Sequence, residues 1–131
     1  MKLLEGKTVI ITGASRGIGN GMAKILASQG ANIAFTYLSS EKEAKLLEKE
    51  INSLGVKSIG YRSDASDFNS ANKFVESVVN DFSSIDILIN NAGITRDNLL
   101  LRMSQDDWNS VIKTNLNSVF NLTKSVLRIM L

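Results

Sequence analysis

Short, nearly continuous apolar runs alternate along this chain with longer stretches in which apolar residues return at helical spacing. The first kind predicts strands buried on both faces, and the second predicts helices with one buried stripe. The strands fall at residues 8–12, 31–37, 56–61 and 85–89. Helices follow at residues 20–29, 40–54 and 67–82. Met22, Ile25 and Leu26 make the stripe of the first, and Leu47, Ile51 and Leu54 that of the second. Ala71, Phe74, Val75, Val78, Val79 and Phe82 make the stripe of the third. Ser40 and Glu43 have capping-box spacing, and Gly55 stops the helix they begin. Ser104 starts a short helix through about Lys113. A last helix runs from Leu116 to the end, with Val119, Phe120, Leu122, Val126, Leu127 and Met130 apolar.

This order predicts an α/β fold. It is a Rossmann-like, doubly wound parallel sheet with right-handed crossovers and helices on both faces, cut after about four strands. Ligands of such sheets bind beyond the carboxyl ends of the strands. Four loops meet at that edge: residues 13–19, Leu38 and Ser39, Asp64 and Ala65, and residues 90–93.

The first of these loops carries the most chemistry. Thr12-Gly13-Ala14-Ser15-Arg16-Gly17-Ile18-Gly19 joins an apolar strand to a helix. Missing side chains let a backbone approach a pyrophosphate, and a helix N-terminus offers free N–H groups and partial positive charge. The spacing G-x-x-x-G-x-G differs from the commoner G-x-G-x-x-G, and no Gly-Lys-Ser/Thr follows to make a P-loop. The competing reading is a loop that only needs positive φ angles. Strand before and helix after both favour phosphate binding, and the turn predicts a site for a dinucleotide.

Composition narrows the classes. The 131 residues suffice for one domain, with 44% hydrophobic and 21% charged residues and a net charge of +2. That balance gives no basic field for nucleic acid. No apolar run is long enough to span a membrane. Histidine and cysteine are both absent. No metal site is expected, and a Ser-His-Asp or Cys-His catalytic set is excluded.

The glycine turn together with Asn90-Asn91-Ala92-Gly93 resembles the short-chain dehydrogenase/reductase family. The stretch from Ile94-Thr95-Arg96-Asp97 through Met103, with Trp108 and Thr114-Asn115-Leu116, is similar to the 3-oxoacyl-(acyl-carrier-protein) reductases within it. The resemblance implies reduction of a 3-oxoacyl-(acyl-carrier-protein) by NADPH in fatty-acid synthesis, in a cytoplasmic homotetramer. It also implies one dinucleotide-binding domain over residues 1–131, the N-terminal part of a longer single-domain reductase.

Residue roles follow from the same resemblance. Gly13, Gly17 and Gly19 let the backbone close on the cofactor, with contacts from Ala14, Ser15 and Ile18. Arg16 pairs with a phosphate, or is a solvated surface arginine. No carboxylate follows the second strand at Leu38, Ser39 or Ser40, and Glu41 belongs to the next helix, which with Arg16 argues for NADP(H) over NAD. Asp64 accepts a hydrogen bond from the adenine amino group beside Ala65, or caps a helix. Asn91, Ala92 and Gly93 line the ribose, or make an ordinary turn. Asn115 holds a water in a proton relay to a catalytic lysine, or is a polar residue at a helix junction. Leu99, Leu100, Leu101 and Met103 contact an acyl chain or the carrier, or serve packing.

The family's tyrosine donates the proton while a lysine four residues later lowers its pKa, and a serine holds the carbonyl. Tyr37 and Tyr61 are the only tyrosines, and Glu41 and Ala65 stand four residues after them. The ending inside a helical pattern adds to the expectation of an N-terminal half, inactive by itself. Two other readings stay open. One is a non-catalytic NADP-binding module. The other is a related reductase acting on acetoacetyl-CoA or another small ketone.

Overall fold

The computed structural model describes all 131 residues. Its sheet has strands β1 (Thr8–Ile11), β2 (Asn32–Tyr37), β3 (Ser58–Arg62) and β4 (Ile87–Ile89) in the order β3-β2-β1-β4. Every pairing is parallel, with Ile10 beside both Ala34 and Leu88. The connecting helices are α1 (Gly17–Ser28), α2 (Glu41–Asn52) and α3 (Phe68–Phe82). After β4 come a 3-10 turn at Leu100–Arg102, α4 (Gln105–Ile112), a π-helical turn at Lys113–Asn117 and α5 (Ser118–Met130).

Successive strand residues point to opposite faces, so the apolar runs feed two cores. Val9, Ile11, Ile33 and Phe35 pack with Ala23 and Ala27 of α1 and Leu47 and Ile51 of α2. Ile10 and Ala34 face the other way, onto Phe74, Val75 and Val78 of α3 and Leu122 and Val126 of α5. The α/β, doubly wound expectation holds in this two-sided arrangement. β1 pairs with the strand that follows it and with the last one, so the chain reverses its direction of winding between β1 and β4. That is the switch point at which sheets of this kind take ligands.

Several local expectations are corrected. Helix α1 begins at Gly17 rather than residue 20, inside the glycine turn. It buries Gly19, Ala23 and Ala27 and leaves Ile25 66% exposed. Small residues face the sheet there because the helix lies close to it. Ser40 occupies the N-cap of α2 but makes no side-chain cap bond, so no capping box forms, and Leu54 is exposed. Asp67, not Asp64, caps α3, its carboxylate accepting from Ser70 N at 2.9 Å. The last two helices are continuous through the π turn rather than separate. β4 is half-buried at the edge of the sheet, with Ile87 and Ile89 against one core and Leu88 against the other, so both of its faces are covered as expected. Leu99, Leu100 and Leu101 are exposed, so they do not serve packing here.

Candidate functional site

Two buried threonines draw the strand ends together. Thr12 Oγ1 accepts from Asn91 N at 3.0 Å and Ala92 N at 2.9 Å, tying the end of β4 to that of β1. Thr36 Oγ1 accepts from Gly13 N at 3.0 Å, tying the glycine turn to β2. Asn91 adds Nδ2 donations to Thr12 O at 3.1 Å and Gly13 O at 3.0 Å. The turn is thus anchored on both sides before any ligand arrives.

The three glycines answer different demands. Gly13 and Gly17 hold φ of +68° and +66°, the left-handed region that side chains disfavour. A Cβ on Gly17 would meet nothing within 4 Å, whereas one on Gly13 would lie 3.1 Å from Ala92 Cα. Gly19 sits against the Asn91 amide and Gly13 O, with no room for a methyl. Arg16 is the extended N-cap of α1 and supplies no side-chain cap bond. No acidic residue lies in the first turn. The N–H groups that a helix start leaves unpaired have no side-chain partner here, as an anion site requires.

These loops surround a cavity of about 380 Å³. Of the expected site residues, Gly13, Ser15, Arg16, Gly17, Leu38, Ser39, Asp64, Ala65, Asn91, Ala92 and Gly93 line it. Ala14 lies behind it in the core, Gly19 is buried against Asn91, and Ile18 is exposed off its wall. Thr36, Tyr37, Ser40, Ser63, Ser66, Ile94 and Thr114 also line it and were not singled out from sequence. For Thr36 the signal was present, a hydroxyl at the buried end of an apolar strand. Thr114, which reaches the cavity from the π turn, was named only as part of the stretch that carries the resemblance and given no role.

Asp64 closes an Asx turn. Its Oδ1 accepts from Ser66 N at 2.9 Å and Ser66 Oγ at 2.6 Å. Glu41, the first carboxylate after β2, turns to Arg62 at 3.5 Å and does not line the cavity. Asn115 lies outside the first cavity, in the π turn, and borders a second, open one beside it. Its side chain is bonded to the backbone of Ile94. No tyrosine–lysine pair at the required spacing borders either cavity.

The family model for short chain dehydrogenases matches residues 7–131. The chain belongs to that family. As a short-chain dehydrogenase it is 46% identical over 127 residues to a 3-oxoacyl-(acyl-carrier-protein) reductase of Salmonella typhimurium, covering 97% of this chain and 50% of the relative. It is 45% identical over 115 residues to the reductase of the same name from Staphylococcus aureus, covering 88% and 47%. A short chain dehydrogenase from Burkholderia cenocepacia, solved in complex with NADP, superposes with a TM-score of 0.94 at 35% identity, covering 97% of this chain and 52% of that one. A variant short-chain dehydrogenase/reductase from Serratia marcescens gives 0.94 at 34% identity, covering 97% and 52%. The chain spans about half the length of the curated relatives it matches.

Proposed function

We propose that residues 1–131 are the dinucleotide-binding part of an NADPH-dependent short-chain oxidoreductase. The reaction of the whole protein is reduction of a 3-oxoacyl-(acyl-carrier-protein) to the 3-hydroxyacyl form. One observation carries the cofactor reading: loops from the carboxyl ends of all four strands line one cavity at the switch point, with Arg16 in its wall. The NADP complex of the Burkholderia neighbour and the names of the curated relatives support it.

The fit can be followed residue by residue. The first turn of α1 and the Gly13–Gly17 backbone take the pyrophosphate. Arg16, with Ser39 and Ser40 across the cavity, takes the ribose 2′-phosphate, and no carboxylate opposes it there. Asp64 Oδ2, left over from the Asx turn, accepts from the adenine amino group beside Ala65. Asn91 acts chiefly through the backbone it clamps, and Ala92 and Gly93 border the ribose. When bound, the dinucleotide supplies a hydride to the 3-keto carbon. Asn115 serves the proton relay from the π turn, where a disrupted helical ladder is commonly found at functional sites. The exposed apolar face of α5, with Phe120 and Leu127, is the surface for the homotetramer contact.

Calorimetric titration of this chain with NADPH and with NADH tests the reading. NADPH is expected to bind about tenfold tighter or better, the effect of one charge-assisted phosphate contact. Equal affinities, or a preference for NADH, would overturn it.

A further inference from the structure

Ala65 lines the first cavity, and its carbonyl oxygen accepts a hydrogen bond from Asn121 Nδ2 of α5 at 3.0 Å. Asn121 stands 56 positions further along the chain, is 5% exposed and does not line the cavity. A polar side chain so deeply buried costs stability unless it is bonded. Its buried neighbours on the helix include the apolar Leu122 and Val126.

The bond falls on one particular peptide. Ala65 C=O and Ser66 N–H belong to a single planar unit, so fixing the oxygen fixes the direction of the hydrogen. That Ser66 N–H donates to Asp64 Oδ1 at 2.9 Å, and Ser66 Oγ adds a donation to the same oxygen at 2.6 Å. A chain of hydrogen bonds through one peptide therefore runs from Asn121 to the Asp64 carboxylate, each link polarising the next. The contact of α3 with α5 has other supports. Phe74, Val75 and Val78 share a core with Leu122 and Val126. Phe68 stacks on Phe120 at 6.3 Å, and Ser125 Oγ lies 2.6 Å from Asn72 Oδ1. Loss of the Asn121 amide leaves those contacts in place and frees the Ala65–Ser66 peptide.

We propose that Asn121 is a positioning residue for base recognition: through the Ala65–Ser66 peptide it orients the Asp64 carboxylate and leaves Oδ2 to the adenine amino group. The inference rests on the reading that the first cavity holds the dinucleotide with its adenine at Asp64.

The test is calorimetric titration of the 131-residue chain with NADP⁺ and with its hypoxanthine analogue, in which an oxygen replaces the adenine amino group. The parent is expected to bind NADP⁺ about tenfold tighter than the analogue, the worth of one hydrogen bond to a carboxylate. Asn121→Leu, which keeps the volume and removes the donor, should cut that preference to about threefold or less. Asn121→Ala, which needs no extra room, makes the same comparison independently. In an Asp64→Ala background Asn121→Leu should change the preference no further, since it acts through Asp64. A merely structural role would weaken both ligands alike, and a preference that survives both Asn121 variants overturns the proposal. A parent that binds the two ligands equally overturns the placing of adenine at Asp64, and one that binds neither overturns the dinucleotide reading. In either case amide hydrogen exchange still decides the clamp itself: Ser66 N–H should exchange faster in Asn121→Leu while the amides of β1 keep the parent's rates.

Discussion

Asn115 and Ile94 exchange two hydrogen bonds, each between the amide side chain of one and the backbone of the other. Ile94 N donates to Oδ1 at 2.7 Å, and Nδ2 donates to Ile94 O at 2.9 Å. The loop after β4 is thereby fastened to the π turn between α4 and α5. Gly93 allows the approach, since a Cβ there would lie 3.1 Å from Asn115 Oδ1.

The reciprocity makes Asn115→Asp informative. A carboxylate keeps the acceptor for Ile94 N but sets an oxygen against the Ile94 carbonyl. Asn115→Ala loses both bonds, and solvent replaces them. Each variant is expected to lose about 1 kcal/mol, seen as a fall in Tm of about 3–5 °C for a chain of this size. An Asp variant as stable as the parent in thermal melts would show that the Nδ2 donation contributes nothing.

Gly19 and Gly21 lie in the same helix and part company on substitution. Alanine gains about 1 kcal/mol over glycine in a helix interior. At Gly21 a Cβ meets nothing within 4 Å, so Gly21→Ala should raise stability by that amount. At Gly19 the methyl would meet the Asn91 amide, Gly13 O at 2.9 Å and Ala14 Cα at 3.1 Å. Gly19→Ala should therefore lower stability and loosen the Asn91 clamp. Thermal melts that rise for both would disprove the tight fit at Gly19.

The contrast shows what the chain discloses locally and what it conceals. Strands such as Val9–Ile11 are legible because both faces are covered, and continuous apolarity is a local property. The parallel order follows from strands alternating with helices, and the position of the site follows from the loops at the strand ends. The buried face of α1 was misread through Ile25 because the inward residues are Gly19, Ala23 and Ala27. Hydropathy favours the large residue, whereas close approach to the sheet favours the small ones. The bonds of Thr36 to Gly13 and of Asn115 to Ile94 span 23 and 21 positions. No local pattern reports contacts of that kind, and the π turn that carries Asn115 depends on the same distant geometry.

Tyr61 gives the fold a dependence on alkaline pH. It lies edge-on to Phe74 and its hydroxyl donates to Asp81 Oδ2 at 2.6 Å. Burial first, and the bond to the Asp81 carboxylate second, hold its pKa well above the ordinary tyrosine value. The folded state therefore keeps a proton that the unfolded state releases above about pH 10. The stabilisation is complete below that pH and is lost as pH rises toward the folded value. Denaturant melts between pH 9 and 11 should show stability falling more steeply for the parent than for Tyr61→Phe. Parallel slopes would mean that Tyr61 titrates alike in both states.

Arg16 is the residue on which cofactor choice turns. It stands at the N-cap of α1, enters no ion pair of the chain, and lines the same cavity as Ser39 and Ser40, which Glu41 does not join. Its guanidinium is expected to pair with the 2′-phosphate that NADPH has and NADH lacks. Arg16→Gln should then cost about 1.5–3 kcal/mol of NADPH binding, roughly ten- to a hundredfold, with NADH affinity nearly unchanged. The parent's NADPH affinity should also fall more steeply with added salt than the variant's, because the contact is ionic and exposed. Equal losses for both dinucleotides would move Arg16 from the 2′-phosphate to the shared pyrophosphate, and the preference for NADPH would then have to come from Ser39 and Ser40.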